Sequence, residues 1–532
     1  MPNLAPTPTS GAHVTALAGT EVVAVVGGGA MGAGIAQVAA LAGHRVLLFD
    51  SRPQARDRAL EHIGRAIGKL VDKGRLTPAA AADAAARLAP AASLAELAGA
   101  ALVVEAIVEN LDAKRALFEA LEAVVGDDCI LATNTSSLSV TALGATLRSP
   151  QRLAGMHFFN PVPQMALVEV VSGLATDRAV ADTLFATSAA WGKHPVHARS
   201  TPGFIVNRVA RPFYAEALRL LGERGADPAT IDAILRDCGG FRMGPFELMD
   251  LIGHDVNLAV TRSVFQAYYH DPRFTPSVCQ QELVDAGFLG RKTGRGFFRY
   301  GPADAAPPAH QEAARARPDF VGYSVVTGAE ADAGVVGQLA RRLRGAGMDL
   351  SARKLAGGGQ HDAAPAFHCH GAAIYLCDGR SATERACANG HADTVLFDLA
   401  FDYASTPRIA LSCADQCQPA AYHAAVGLFQ AAGMMVSRLD DVPGMAVMRT
   451  VAMLANEAAD AVNQGVCSAR DVDIAMQKGV NYPRGPLAWA DAVGIGQIVT
   501  VLANLAASYG EDRYRVSPLL RRKMAGAGRF HG

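Results

Sequence analysis

The hydrophobic and polar positions separate strands from helices over the first third of the chain. Glu21 is followed by the apolar, largely β-branched run VVAVV (Val22–Val26), then by a stretch to Gly43 without any charge, and then by HRVLLFD, which ends in Asp50. Short apolar runs closed by glycine or by an acid predict strands buried on both faces, as in a parallel sheet. The stretch between them holds glycines at 27, 28, 29, 32, 34 and 43, too many for a lone membrane-spanning helix, so a strand, a turn and a helix are expected there. The pattern returns at ALVVEAIVE (Ala101–Glu109) and CILATN (Cys129–Asn134), each preceded by helix-type sequence. This alternation predicts an α/β, Rossmann-type doubly wound sheet over residues 20–199, after a disordered tail at 1–19. An all-α domain is expected over 200–300.

The second half repeats the first. Residues 301–319, rich in Ala and Pro, read as a linker. Beyond it, a shift of 241 sets Pro202-Gly203 on Pro443-Gly444, Arg208 on Arg449, Glu216 on Glu457, Gly244-Pro245 on Gly485-Pro486 and Asp250 on Asp491. This predicts a second helical copy at 441–532, preceded at 320–440 by a truncated Rossmann-like remnant. The remnant's first strand, in YSVVTGAEADAG, lacks the glycine spacing of the first copy, and the chain is expected to stop before a counterpart of GRKTGRGFF.

Charge and cysteine content narrow the function. With 49 basic and 50 acidic residues the net charge is −1, so no bulk field draws nucleic acid or an anionic membrane, and neither is expected as a partner. The first twenty residues carry no Lys or Arg, which argues against a secretory signal and for a cytoplasmic protein. Nine cysteines form no disulfide framework, and neither His368-Cys369-His370 nor the pair Cys413 and Cys417 has knuckle spacing, so no metal is expected.

Candidate chemistry gathers at the carboxyl ends of the predicted strands. In Gly27-x-Gly29-x-x-Gly32 the first glycine suits a tight turn and the second lets the backbone approach a pyrophosphate. The third lets helix and strand pack closely, and Ala30 and Met31 open the helix whose N–H groups face the phosphates. Asp50, eighteen residues past Gly32, can accept both hydroxyls of an adenosine ribose and repel a 2′-phosphate, which favours NAD over NADP. Glu109 and Asn134-Thr135-Ser136 fall on the same edge. His157 and Glu169 lie twelve residues apart. Such a histidine, beside Phe158 and Phe159, is, taken alone, more often a satisfied core residue, whereas an acid between Val168 and Val170 needs a partner if buried.

Taken together, IVENLDAKRALF, TNTSSLSV, GMHFFNPVPQMALVEVV, GKHPV, TPGFIVNR, MGPFELMDLIG and GRKTGRGFF closely resemble the short-chain L-3-hydroxyacyl-CoA dehydrogenases, from about Val22 to Tyr300. The resemblance implies a catalytic His157 with Glu169 as its carboxylate partner, and substrate-orienting groups at Ser136 and Asn207. It implies cofactor contacts at Asp50, Glu109, Lys114, Ser136, Asn160 and Lys292, and CoA contacts at Lys73 and Lys69. By the 241 shift the second copy places Asp398 opposite His157, Ala410 opposite Glu169, Cys377 opposite Ser136 and Met448 opposite Asn207, so its catalytic set is gone. Because helical domains pair between subunits in this family, two copies in one chain imply an internal pseudo-dimer, with a further homo-oligomer left open. The two-copy form resembles the 3-hydroxyadipyl-CoA dehydrogenases of phenylacetate breakdown and implies an acyl-CoA thioester substrate. The alternatives are a butyrate or fatty-acyl version of the same reaction, a sugar-acid dehydrogenase, and a catalytically silent binding protein.

Overall fold

The computed structural model describes residues 15–302, 304–326, 335–355 and 364–532. Most of the tail expected at 1–19 lies outside the described residues, but its end is tied down: the Leu17 amide donates to Thr187 Oγ1 at 3.0 Å, and Leu17 packs on the core. The chain forms two compact units, one of residues up to Ile205 together with Gly465–Gly479, the other of Val206–Gln464 together with Val480–Gly532.

The first unit is built on eight strands: β1 (Val22–Val26), β2 (Arg45–Phe49), β3 (Leu88–Pro90), β4 (Leu102–Glu105), β5 (Ile130–Thr133), β6 (Leu153–Phe158), β7 (Leu167–Ser172) and β8 (His194–Arg199). Their order is β3-β2-β1-β4-β5-β6-β7-β8. All neighbours are parallel except β6 and β7, whose antiparallel register sets His157 opposite Glu169. The order reverses at β1, where successive connections leave on opposite sides and open a crevice at the carboxyl ends of the strands. The uncharged stretch is the expected strand, turn and helix, the helix being Ala30–Leu41. Among the described residues no single helix is long and apolar enough to cross a membrane.

A helix from the far end of the sequence completes this unit. Ala469–Gly479 buries Val472, Ala475 and Met476 and packs on β7 and β8, while the Arg199 amide donates to Val466 O at 2.8 Å. This helix falls within the 441–532 expected as the second helical copy, and its apolar face finds its partner on the first sheet.

The second unit holds a sheet of seven strands: β9 (Val321–Val326), β10 (Leu350–Leu355), β11 (Phe367–Cys369), β12 (Ala372–Leu376), β13 (Thr394–Phe397), β14 (Arg408–Cys413) and β15 (Met435–Arg438). The order is β10-β9-β11-β12-β13-β14-β15, and β13 and β14 are antiparallel like β6 and β7. The short β11 runs antiparallel between β9 and β12, in the place that parallel β4 holds between β1 and β5. Helix Pro228–Asp237 of the first helical copy packs on β14, mirroring what Ala469–Gly479 does on β7 and β8. The stretch expected as a linker is fastened to this sheet, since the Glu312 amide donates to Val436 O and Ser437 Oγ to His310 O.

The two helical copies meet through reciprocal buried ion pairs. Arg208 reaches Glu457 at 2.6 Å and Arg449 reaches Glu216 at 2.6 Å, which is one contact written twice under the 241 shift. Each guanidinium lies over the matching tyrosine, Arg208 on Tyr268 and Arg449 on Tyr509. The absent counterpart of GRKTGRGFF is also corrected. Asp250 accepts the amides of Phe297 and Phe298, and Asp491 accepts those of Phe530 and His531, so the last residues of the chain fill that role.

Candidate active site

The glycine turn is shaped by close backbone approaches. Gly27 has φ +115°, and a Cβ there would stand 2.5 Å from Ala106 O; a Cβ on Gly32 would stand 1.9 Å from Gly27 O. Gly29 differs, because its Cβ would meet nothing within 4 Å, so packing does not require a glycine there. It precedes a helix whose N-terminus has no side-chain cap and no acid in its first turn. Unpaired N–H groups facing open space beside a glycine suit the approach of a pyrophosphate, and Ala30 and Met31 lie in that first turn. Asp50 follows β2 and accepts the amides of Gly28 and Arg52, both at 2.8 Å. Burial alone would raise its pKa, but those two hydrogen bonds and the nearby Arg52 charge outweigh burial and hold the carboxyl below its usual range. Gly28 was not singled out in the sequence, yet a Cβ there would meet Ala55 O at 2.9 Å.

Glu109 organises the loop after β5. It accepts from Thr135 Oγ1 at 2.6 Å, from the Ser136 amide at 3.0 Å, and from Ser137 Oγ at 2.9 Å. Burial pushes its pKa up, while those bonds and Lys114 bring it below the ordinary value. Lys114 is 1% exposed and sits between Glu109 at 3.2 Å and Glu105 at 2.6 Å, so it acts on the crevice through Glu109. Glu105 itself accepts from Thr133 Oγ1 and the Ile107 amide, which makes a buried ion pair tolerable. Sequence reading missed Glu105; the signal was an acid closing an apolar strand with a lysine nine residues on.

At the carboxyl end of β6, the His157 Nδ1–H donates to Glu169 Oε2 at 2.6 Å, and Glu169 Oε1 accepts the Ile205 amide at 3.0 Å. Phe159 and Phe204 pack on the imidazole, with ring centroids at 4.6 and 5.7 Å. Asn134 Oδ1 accepts the Phe158 amide and so ties the Ser136 loop to β6. The fold thus brings Gly27, Gly29, Gly32, Asp50, Glu109, Ser136, Asn160 and the His157–Glu169 pair to one edge of the first sheet. Lys69 and Lys73 lie exposed at the far end of helix Pro53–Asp72. In the second unit, Asn207 is half-buried in helix Val206–Val209, and Lys292 is held by both oxygens of Asp255 at 2.6 and 2.7 Å. Among the described residues no group of three or more His, Cys, Asp or Glu is placed to hold a metal ion.

Comparison with known proteins gives this arrangement a family. Residues 22–201 match the 3-hydroxyacyl-CoA dehydrogenase NAD binding domain, and residues 203–300 and 444–531 match the C-terminal domain of the same dehydrogenases. Residues 374–443 match the 3-hydroxybutyryl-CoA dehydrogenase reduced Rossmann-fold domain. The chain is 42% identical over 503 residues to the 3-hydroxyadipyl-CoA dehydrogenase of Escherichia coli K12, covering 94% of this chain and 97% of that protein. A crystal structure described as 3-hydroxybutyryl-CoA dehydrogenase from Escherichia coli K12 superposes with a TM-score of 0.85 at 41% identity, covering 95% of this chain and 98% of that one. The human mitochondrial hydroxyacyl-coenzyme A dehydrogenase is 40% identical over 286 residues, covering 52% of this chain and 90% of that protein. With its NAD-binding sheet, its two helical copies and its reduced second sheet all matched, the chain belongs to the 3-hydroxyacyl-CoA dehydrogenase family.

Proposed function

We propose that the protein oxidises (S)-3-hydroxyacyl-CoA to 3-oxoacyl-CoA with NAD, and that its acyl group carries a free carboxylate, as 3-hydroxyadipyl-CoA does in the breakdown of phenylacetate and related aromatic acids. The observation that carries the reading is the chain of hydrogen bonds from His157 through Glu169 to the Ile205 amide. Glu169 fixes the proton on Nδ1, which leaves Nε2 with a free lone pair to take the proton of a secondary alcohol. As the imidazole becomes cationic, the buried carboxylate stabilises it, the part an aspartate plays in a hydrolytic triad. NAD, when bound against the glycine turn, supplies the hydride acceptor. Ser136 and Asn207 hold the substrate oxygens, and Lys69 and Lys73 offer cations to the CoA phosphates.

The names of the two relatives from Escherichia coli, one adipyl and one butyryl, leave the acyl tail as the open part of this reading. The butyryl version is the second reading, favoured by the crystal structure that covers 95% of the chain. In both, one chain carries one NAD site and works in the cytoplasm, and the second sheet and second helical copy act as an internal structural partner. Steady-state reduction of 3-oxoacyl-CoA thioesters by NADH tests the proposal. Turnover of 3-oxoadipyl-CoA above acetoacetyl-CoA is expected; preference for acetoacetyl-CoA selects the second reading, and no turnover of any thioester rejects both.

A further inference from the structure

The second unit buries one guanidinium without a counter-charge. Arg211 is 6% exposed; its Nη1 donates to Thr261 Oγ1 at 3.0 Å, its guanidinium lies 4.9 Å from the Tyr214 ring centroid, and its Nε has no hydrogen-bond partner. Every other buried arginine of the described residues has a carboxylate within 4.0 Å, Arg208, Arg273 and Arg449 among them. No carboxylate is paired with Arg211. Burying a charge in this way is costly unless an anion joins it.

A cavity of about 330 Å³ lies against this group, walled by Arg211, Tyr214, Leu218, Thr261, Phe274 and Gln280. Arg273 and Arg513 also line it, each with a buried Nε lacking a hydrogen-bond partner, but their charges are already met, Arg273 by Glu457 and Asp460 and Arg513 by Glu216. The carboxylate among the lining residues, Glu511, is already held by both Nη atoms of Arg219. The volume falls in the range of small-ligand pockets, and apolar walls ending at a cation suit a short methylene chain ending in an anion.

The cavity's place on the helix relates it to the substrate. Helices Val206–Val209 and Arg211–Gly222 are joined by Ala210, itself in helical conformation, so Asn207 and Arg211 stand four residues apart on one face. That spacing is a rise of about 6 Å. In a six-carbon dicarboxylic chain the far carboxyl carbon lies three bonds from C3, about 4 Å, with its oxygens roughly 1 Å further. An acyl group oriented by Asn207 would therefore deliver its terminal carboxylate to Arg211.

We propose that Arg211 is the specificity-determining cation for the free carboxylate at the end of the acyl chain. The inference rests on the acyl-CoA reading above. It is tested by kcat/KM for 3-oxoadipyl-CoA against 3-oxohexanoyl-CoA, which has the same carbon count and a methyl end, in the wild type, Arg211→Met and Arg211→Lys. The ratio is expected to favour the dicarboxylic thioester by about 10²-fold in the wild type. It should collapse by 30-fold or more in Arg211→Met, chiefly through KM, and survive in part in Arg211→Lys. A wild-type ratio near one overturns the inference while leaving the dehydrogenase reading intact. A parallel loss on both thioesters in both variants also overturns it and marks Arg211 as structural. Stabilisation by free adipate or phosphate through Arg211, without discrimination between the thioesters, overturns it too. A wild type inactive on both thioesters overturns the functional reading itself.

Discussion

Two antiparallel strand pairs, β6 with β7 and β13 with β14, show how one anchoring task is met with and without chemistry. In the first pair Glu169 on β7 accepts the Ile205 amide and at the same time holds the imidazole of His157 on β6. In the second pair Ala410 takes the place of Glu169, and Asp398 takes that of His157, the Asp398 amide donating to Ala410 O. Asp398 accepts the amides of Ala446, Val447 and Met448, and Ala446 corresponds to Ile205 under the 241 shift. A carboxylate thus caps the entry to each helical copy. Moving it from one strand to the other puts the acid where the first pair carries its imidazole, so the anchor persists while the histidine proposed as the base has no counterpart.

The comparison is broken most directly at the base. His157→Gln should lower kcat by about 10²–10⁴, roughly 3–5.5 kcal/mol, with NAD affinity nearly unchanged by fluorescence titration. Restoring the pair in the second copy with Asp398→His and Ala410→Glu should add no activity, because Met448 stands where Asn207 would be needed. A His157→Gln enzyme at wild-type rate would remove His157 as the base.

A second test uses the reciprocal ion pairs. Glu457→Ala strands Arg208 and leaves Arg273 with Asp460 alone, and Glu216→Ala leaves Arg449 with Glu223 alone and takes a carboxylate from Arg513, so each should cost up to about 3–5 kcal/mol in urea unfolding. Comparable losses are what two equivalent halves of one interface require. A loss in one variant alone would show that the duplication is no longer symmetric in energy.

Asp398 sharpens the comparison through pH. Burial raises its pKa from 3.8 to about 6, against the pull of the Met448, Val447 and Ala446 amides. A carboxyl with a raised folded pKa contributes stability that is fully present below about 3.8 and is lost as pH rises through about 6. A rise of that size corresponds to about 3 kcal/mol. Asp398→Asn should remove this component, so its thermal midpoint should fall less steeply, or rise more steeply, between pH 4 and 6 than that of the wild type. Identical slopes would mean that Asp398 titrates at its ordinary value.

The smallest effect is expected at the cofactor end of the first sheet. Asp50→Ala removes a ribose acceptor and a repulsive charge together, and should narrow the NAD over NADP preference in kcat/KM by about 10- to 100-fold. An unchanged ratio would transfer cofactor choice to another residue.

Much of this protein was legible in its sequence because the constraints are local. A turn that needs φ +115° and a helix that must approach within 1.9 Å of a carbonyl permit glycine alone, so Gly27 and Gly32 announce themselves. Strand runs closed by Asp50 and Glu109 mark the carboxyl edge, and a constant shift of 241 exposes the duplication. What the helices and buried charges pair with was decided by the tertiary structure. Ala469–Gly479 completes the first sheet, Lys114 lies behind Glu109 on Glu105, and Phe530 and His531 close on Asp491. Arg208 and Arg211 look alike in the sequence, three residues apart; one meets Glu457 from 249 residues away and the other meets a cavity. Backbone conformation and periodicity are set by neighbours along the chain, whereas a buried charge is stabilised by whichever distant surface folding brings against it, and that surface has no signature at the charge itself.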